Sequence, residues 1–93
     1  DSYILADEIF NGKDYFIGGW SAANYWRLSE QIPMKIEVYS TKRQGNKKIL
    51  STNFIFRRTT KNMIEKAVAR KINNHQFIIM NKREMKKWMK SRN

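Results

Sequence analysis

Met34-Lys35-Ile36-Glu37-Val38-Tyr39 alternates apolar and polar residues at period two, the mark of a half-buried strand, and its reading decides the fold. The polar run Ser40-Thr41-Lys42-Arg43-Gln44-Gly45-Asn46-Lys47-Lys48 follows, with a Gly-Asn turn and four cations, and predicts a hairpin loop. Ile49-Leu50 and Asn53-Phe54-Ile55-Phe56-Arg57 read as the return strands, with Phe54 and Phe56 on one face and Ile55 and Arg57 on the other. Strands that neighbour one another in sequence point to an α+β fold, a small antiparallel sheet with flanking helices, rather than to an alternating parallel sheet.

Upstream, Leu5/Ile9 and Ala6/Phe10 repeat at i,i+4 and predict a helix over residues 2–10 capped by Asp1 or Ser2. Tyr15-Phe16-Ile17-Gly18 is strand-like. Gly18-Gly19 then reads as a sharp turn before Ser21, the expected N-cap of a helix over about 22–30, and Pro33 blocks further helix. Downstream, Thr59 or Thr60 is placed to cap a helix over about 61–73 whose buried side is Ile64/Val68/Ile72 and Met63/Ala67. Gln76 to Met80 is a short apolar strand. Asn81-Lys82-Arg83-Glu84 fits a capping box opening a last helix over 82–91, with Met85, Trp88 and Met89 as its apolar stripe and Lys82, Lys86 and Lys90 along another face.

The 93 residues form a single domain by length. Hydrophobic residues make up 41% of the chain and aromatics 13%, enough for a core despite a net charge of +11. The longest apolar runs, such as Phe77-Ile78-Ile79-Met80, are far shorter than the roughly 20 residues a membrane helix needs, and no secretory signal stands at the start. A cytoplasmic protein without membrane partners is the default expectation. The absence of cysteine removes disulfides, thiolate chemistry and Cys-ligated zinc, and the single histidine, His75, cannot build a metal site alone.

Charge is divided along the chain. Residues 1–40 carry six acids and three bases, whereas residues 41–93 carry two acids and sixteen bases. Segregated cations attract a polyanion or an acidic protein face. The strongest constellation is Lys42, Arg43, Lys47 and Lys48 in the predicted hairpin loop with Arg57 and Arg58 on the return strand, placed to meet the backbone of DNA or RNA. Solvation of an ordinary hairpin tip explains the same residues.

No paired carboxylates, no nucleophile with a base and no phosphate-cradling glycine loop stand out, so neither catalytic residues nor a metal or cofactor is expected. Gly18-Gly19 before a capped helix offers a place for an anion, but glycine more often serves only the turn. Trp20, Tyr25 and Trp26 are better assigned to core packing than to base stacking, because they lie in the acidic half.

The block from Tyr15 through Gly18-Gly19-Trp20-Ser21-Ala22, Glu30-Gln31-Ile32-Pro33 and Lys35-Ile36-Glu37-Val38-Tyr39-Ser40-Thr41-Lys42-Arg43 resembles the AbiEi family of antitoxins. In that family a Y-I-S strand leads to a G-W-S-A-L helix, an E-Q-I-P loop and a V-Y-V-A-T strand ending in basic residues. With the opening helix and Phe54-Ile55-Phe56-Arg57, the likeness covers about residues 1–58. Ala23-Asn24-Tyr25-Trp26 departs from the family's usual Leu and His-Gly pair, and residues 59–93 match only loosely. The resemblance implies a non-enzymatic transcriptional regulator of a type IV toxin–antitoxin or abortive-infection system, paired with a nucleotidyltransferase-like toxin. It further implies the domain that follows a DNA-binding winged helix-turn-helix, a module no segment of this chain matches. The alternatives from other classes are a nuclease-like nucleic-acid enzyme and an oligomerisation domain.

Overall fold

The computed structural model describes residues 1–92. Ten elements follow one another: α1 (Ser2–Ile9), β1 (Tyr15–Ile17), α2 (Gly19–Tyr25), β2 (Ile36–Ser40), β3 (Gly45–Ile49), β4 (Thr52–Arg58), α3 (Lys61–Glu65), β5 (Ala67–Ile72), β6 (His75–Met80) and α4 (Lys82–Lys90). The fold is α+β. Its sheet is larger than the sequence suggests, with six strands in the order β3-β4-β2-β1-β6-β5, and it is mixed rather than antiparallel, since β2 pairs parallel with β4 and β1 parallel with β6.

The parallel β2–β4 pair changes the expected hairpin. Ile36 lies opposite Phe54 and Ser40 opposite Arg58, so β4 returns in the direction of β2. The chain reverses instead between β3 and β4, where Leu50 and Ser51 both take positive φ (48° and 69°) in a two-residue turn. Lys47 and Lys48 therefore belong to a strand at the sheet edge, not to a loop tip.

A second correction falls on residues 61–73. The helix stops at Glu65, capped by Thr60, whose side chain accepts the Met63 N–H at 3.3 Å, and residues 67–72 form β5. Asn73 and Asn74 at φ 50° and 70° close a tight turn that pairs β5 antiparallel with β6. Val68 and Ile72 satisfy helical and strand periodicity alike, and the Asn-Asn turn decides between them.

Alternation along the strands sorts side chains onto two faces. The inner face carries Tyr15, Ile17, Val38, Phe54, Phe56, Phe77 and Ile79, all buried. It is covered by α1, whose Tyr3 meets Phe77 with ring centroids 5.4 Å apart and whose C-cap residue Phe10 stacks on Tyr15 at 5.3 Å. Asp1 caps that helix by accepting the Tyr3 N–H. At the centre, the Tyr15 hydroxyl donates to Asp7 Oδ1 at 2.6 Å and accepts the Ile78 N–H at 2.8 Å, tying α1, β1 and β6 together.

The outer face carries Phe16, Tyr39, Ile55, Arg57 and Met80, and α4 lies over its Phe16–Met80 side. α4 opens as expected, with Asn81 Oδ1 accepting the Glu84 N–H at 2.8 Å, but the Glu84 carboxylate turns to Lys87 and Lys66 rather than back to the cap. α2 passes from one face to the other: Tyr25 packs edge-on against Phe77, while Trp20 meets Trp88 of α4 at 4.9 Å.

The expected cap at Ser21 is not used. α2 begins at Gly19 with Gly18 as N-cap, and buried Ser21 serves the β2 backbone instead: its Oγ accepts the Glu37 N–H at 3.0 Å and donates to the Lys35 carbonyl at 3.2 Å. Both glycines are dictated by β2. A Cβ on Gly18 would stand 2.7 Å from the Tyr39 ring, and one on Gly19, at φ +55°, would overlap the Glu37 carboxylate. The α2 N-terminus thus already faces a carboxylate, which leaves the Gly18-Gly19 pair as a close backbone approach rather than an anion cradle. None of the helices is long and apolar enough to cross a membrane among the described residues.

Candidate nucleic-acid interface

The six cations singled out by sequence separate into two groups. Lys42, Arg43, Arg57 and Arg58 stand at one end of the sheet, where the parallel strands β2 and β4 finish side by side, Arg57 on the outer face and Arg58 in phase with Phe54 and Phe56 on the other. Lys47 and Lys48 sit down the edge strand, opposite Phe54 and Asn53, so that roughly 13 Å of strand separates Lys47 from the level of Arg58. Successive strand residues point to opposite faces, and Lys47 and Lys48 consequently diverge.

The four cations at the sheet end are positioned by local contacts. Lys42 Nζ lies 3.2 Å from Asp14, across an ion pair in which both side chains are largely exposed. Such pairs hold little energy in water, on the order of 0–1 kcal/mol, and yield readily to a stronger anion. The Arg43 guanidinium lies over the Phe56 ring, 4.6 Å from its centroid, on a half-exposed side chain. Arg58 Nη1 donates to the Thr41 carbonyl at 3.3 Å, and Arg57 Nε stands 3.6 Å from the Glu37 carboxylate. Guanidiniums fixed this way keep donors for an incoming phosphate.

Sequence reasoning missed Arg92. Its guanidinium stacks on Trp88 at 4.3 Å from the last turn of the chain and so reaches the same outer face as Arg57. Arg57 and Arg92 both act on the Tyr39 hydroxyl, lowering its pKa, yet the net direction is upward because burial, followed by the Glu37 charge, outweighs them. No sequence signal pointed to this meeting, because the α4 terminus is far along the chain from β2 and β4.

Beside these cations runs a groove between α4 and the outer face, about 450 Å³ in volume. Phe16 and Tyr39, register partners on β1 and β2, stack with centroids 5.0 Å apart and 5° between planes, forming one wall. Met63, Trp88 and Arg58 also line it, with buried Met80 and Met85 beneath. An adjoining hollow of about 430 Å³ shares Tyr39, Trp88 and Arg92 and adds Trp20, Glu37 and Arg57.

Of the other residues weighed by sequence, Tyr25 and Trp26 serve packing as expected. The Trp26 Nε1–H donates to the Met80 carbonyl at 2.8 Å, and Arg70 lies over its ring. His75 is exposed at the start of β6, paired in register with Ile72. Lys82, Lys86 and Lys90 are exposed on α4. Among the described residues, no three His, Cys, Asp or Glu side chains come together as a metal-binding group.

One further surface stands out. The segment after α2 leaves Ile32 84% and Met34 91% exposed, and together with Trp20 and Ile55 they line a shallow hollow beside Glu37 and Arg57. Comparison with protein-family models, with curated proteins and with solved structures finds no match to this chain.

Proposed function

We propose that this domain is a non-enzymatic binding module that contacts the phosphate backbone of nucleic acid through the basic end of its sheet. The observation that carries the reading is the placing of Lys42, Arg43, Arg57 and Arg58 around the one end of the sheet where β2 and β4 finish, with Arg92 of the α4 end sharing a hollow with Arg57. Phosphate binding by cations releases condensed counterions, which makes affinity fall steeply with salt. The regulatory setting, an AbiEi-like antitoxin, rests on the resemblance over residues 1–58.

The test is the salt dependence of binding to duplex DNA and to RNA. Each phosphate contact contributes about 0.9 to the slope of log K against log[salt] on duplex DNA, so Lys42→Gln with Arg58→Gln should flatten the slope by about 1–2 and weaken binding. Lys47→Gln with Lys48→Gln, on the edge strand, should change it less. An unchanged slope in the first pair would refute the assignment.

A second reading is favoured by the exposed Ile32 and Met34 beside Trp20 and Ile55. An apolar patch rimmed by cations suits a protein partner with an acidic rim, such as the nucleotidyltransferase-like toxin that the resemblance implies. Ile32→Asp with Met34→Asp would abolish a protein contact and leave nucleic-acid affinity within the effect of two added charges.

A further inference from the structure

We propose that the groove between α4 and the outer face of the sheet holds the unpaired base of a single-stranded nucleic acid, with an adjoining phosphate between Arg57 and Arg92. The inference rests on the phosphate-binding reading and adds what that reading leaves open, the kind of strand.

The groove has the two chemistries a nucleotide presents. Its lining is apolar: half-exposed Met63, Tyr39 and Trp88 stand over buried Met80 and Met85, with one face of Tyr39 taken by Phe16 and one of Trp88 by Arg92, so a flat ring would rest on what Met63 and the two half-exposed aromatics leave open. The adjoining hollow shares Tyr39, Trp88 and Arg92 with the groove and adds Arg57, 3.6 Å from the Glu37 carboxylate that also lines it, so the phosphate of a ring in the groove would meet two guanidiniums and compete with Glu37 for Arg57. Volumes of about 450 and 430 Å³ fall within the range of small-ligand sites, roughly 300–1,000 Å³.

A base within a duplex is stacked on both faces and cannot leave the helix to reach the groove without losing its pairing, whereas an unpaired base enters at little cost. The cations do not stop at one phosphate. Arg58 also lines the groove, and Lys42 follows it around the sheet end. A strand has further phosphates to place there; a free mononucleotide does not.

The experiment compares labelled single-stranded DNA and RNA of twelve nucleotides with a duplex of the same length, by fluorescence anisotropy at about 50 mM salt, using the whole chain. The single strands should bind more tightly than the duplex and quench tryptophan emission. Trp88→Leu should lower single-strand affinity about 5- to 150-fold, the range for losing one base-stacking partner, and leave duplex affinity within about twofold. Arg92→Gln, a change on an exposed side chain, should lower single-strand affinity more than duplex affinity and carries the test if Trp88→Leu unfolds. Equal losses on single strand and duplex, or no preference for the single strand, would overturn the groove assignment and leave phosphate binding standing. Binding to neither would overturn both. Displacement of the strand by free AMP or UMP at equal concentration would overturn the choice of a strand over a mononucleotide.

Discussion

Replacing Tyr15 by Phe removes one oxygen atom from the centre of the molecule and nothing else. That oxygen donates to Asp7 at 2.6 Å and accepts the Ile78 N–H at 2.8 Å, while the ring is fully buried against Phe10. A hydrogen bond to a charged group is worth about 1.5–3 kcal/mol, and an orphaned buried N–H costs about 1–3 kcal/mol. The two effects share an atom and do not simply add, so the expected loss is about 3 kcal/mol, a large fraction of the roughly 5–15 kcal/mol stability of a small domain. For a chain of this size the midpoint of thermal unfolding should drop by about 15 °C. Urea titration followed by tryptophan fluorescence and circular dichroism measures it, and Asp7→Asn in the same background should show a coupling of about 1 kcal/mol. A loss below about 1 kcal/mol at unchanged urea slope would refute the claim that this phenol joins α1 to the centre of the sheet.

Three further outcomes follow from other contacts. Gly19→Ala places a methyl into the Glu37 carboxylate at a φ of +55° and should cost about 2–4 kcal/mol, read by the same urea titration. Leu50→Asn with Ser51→Gly relieves two left-handed residues in the β3–β4 turn, one an exposed leucine, and should stabilise by about 1–2 kcal/mol; a shift in the opposite direction would contradict the turn. Burial raises the pKa of Tyr3, Tyr15 and Tyr39 above the ordinary value of 10.0, Tyr15 furthest with help from Asp7. The unfolded chain therefore loses these phenolic protons first, so stability holds below pH 10 and falls as pH rises above it, which absorbance at 295 nm and parallel urea titrations would follow.

The parts of the fold that were legible are those where local pattern and tertiary role agree. The alternation of Ile36 to Tyr39, the facing of Phe54 and Phe56, the cap at Asp1 and the cap at Asn81 all serve in the structure the roles their spacing indicates. What was not legible depends on strand pairing. Two strands close in sequence read as a hairpin, but β3 is interposed between β2 and β4 along the chain and lies outside them in the sheet, which sends β4 back parallel to β2. The end of α3 was hidden because Ile64, Val68 and Ile72 fit a helical stripe, while β5 is an edge strand with few buried residues to reveal its alternation. The candidate site was half visible. Lys42, Arg43, Arg57 and Arg58 stand near one another in sequence as well as in space, whereas the groove draws on β1, β2, β6, α3 and α4, so no linear pattern could assemble it.

The position of β3 and β5 at the two open borders of the sheet bears on how the molecule behaves when crowded with its own copies. Each border strand exposes unpaired backbone groups, the template on which another chain could add a strand and begin a fibril. Each also carries two adjacent cations, Lys47-Lys48 on β3 and Arg70-Lys71 on β5, which project to opposite faces of its border. A second copy approaching either border would bring like charges together on both faces, so these four side chains act as gatekeepers that hold the sheet at six strands. A polyanion that neutralised Lys47 and Lys48 would lift that guard on one side.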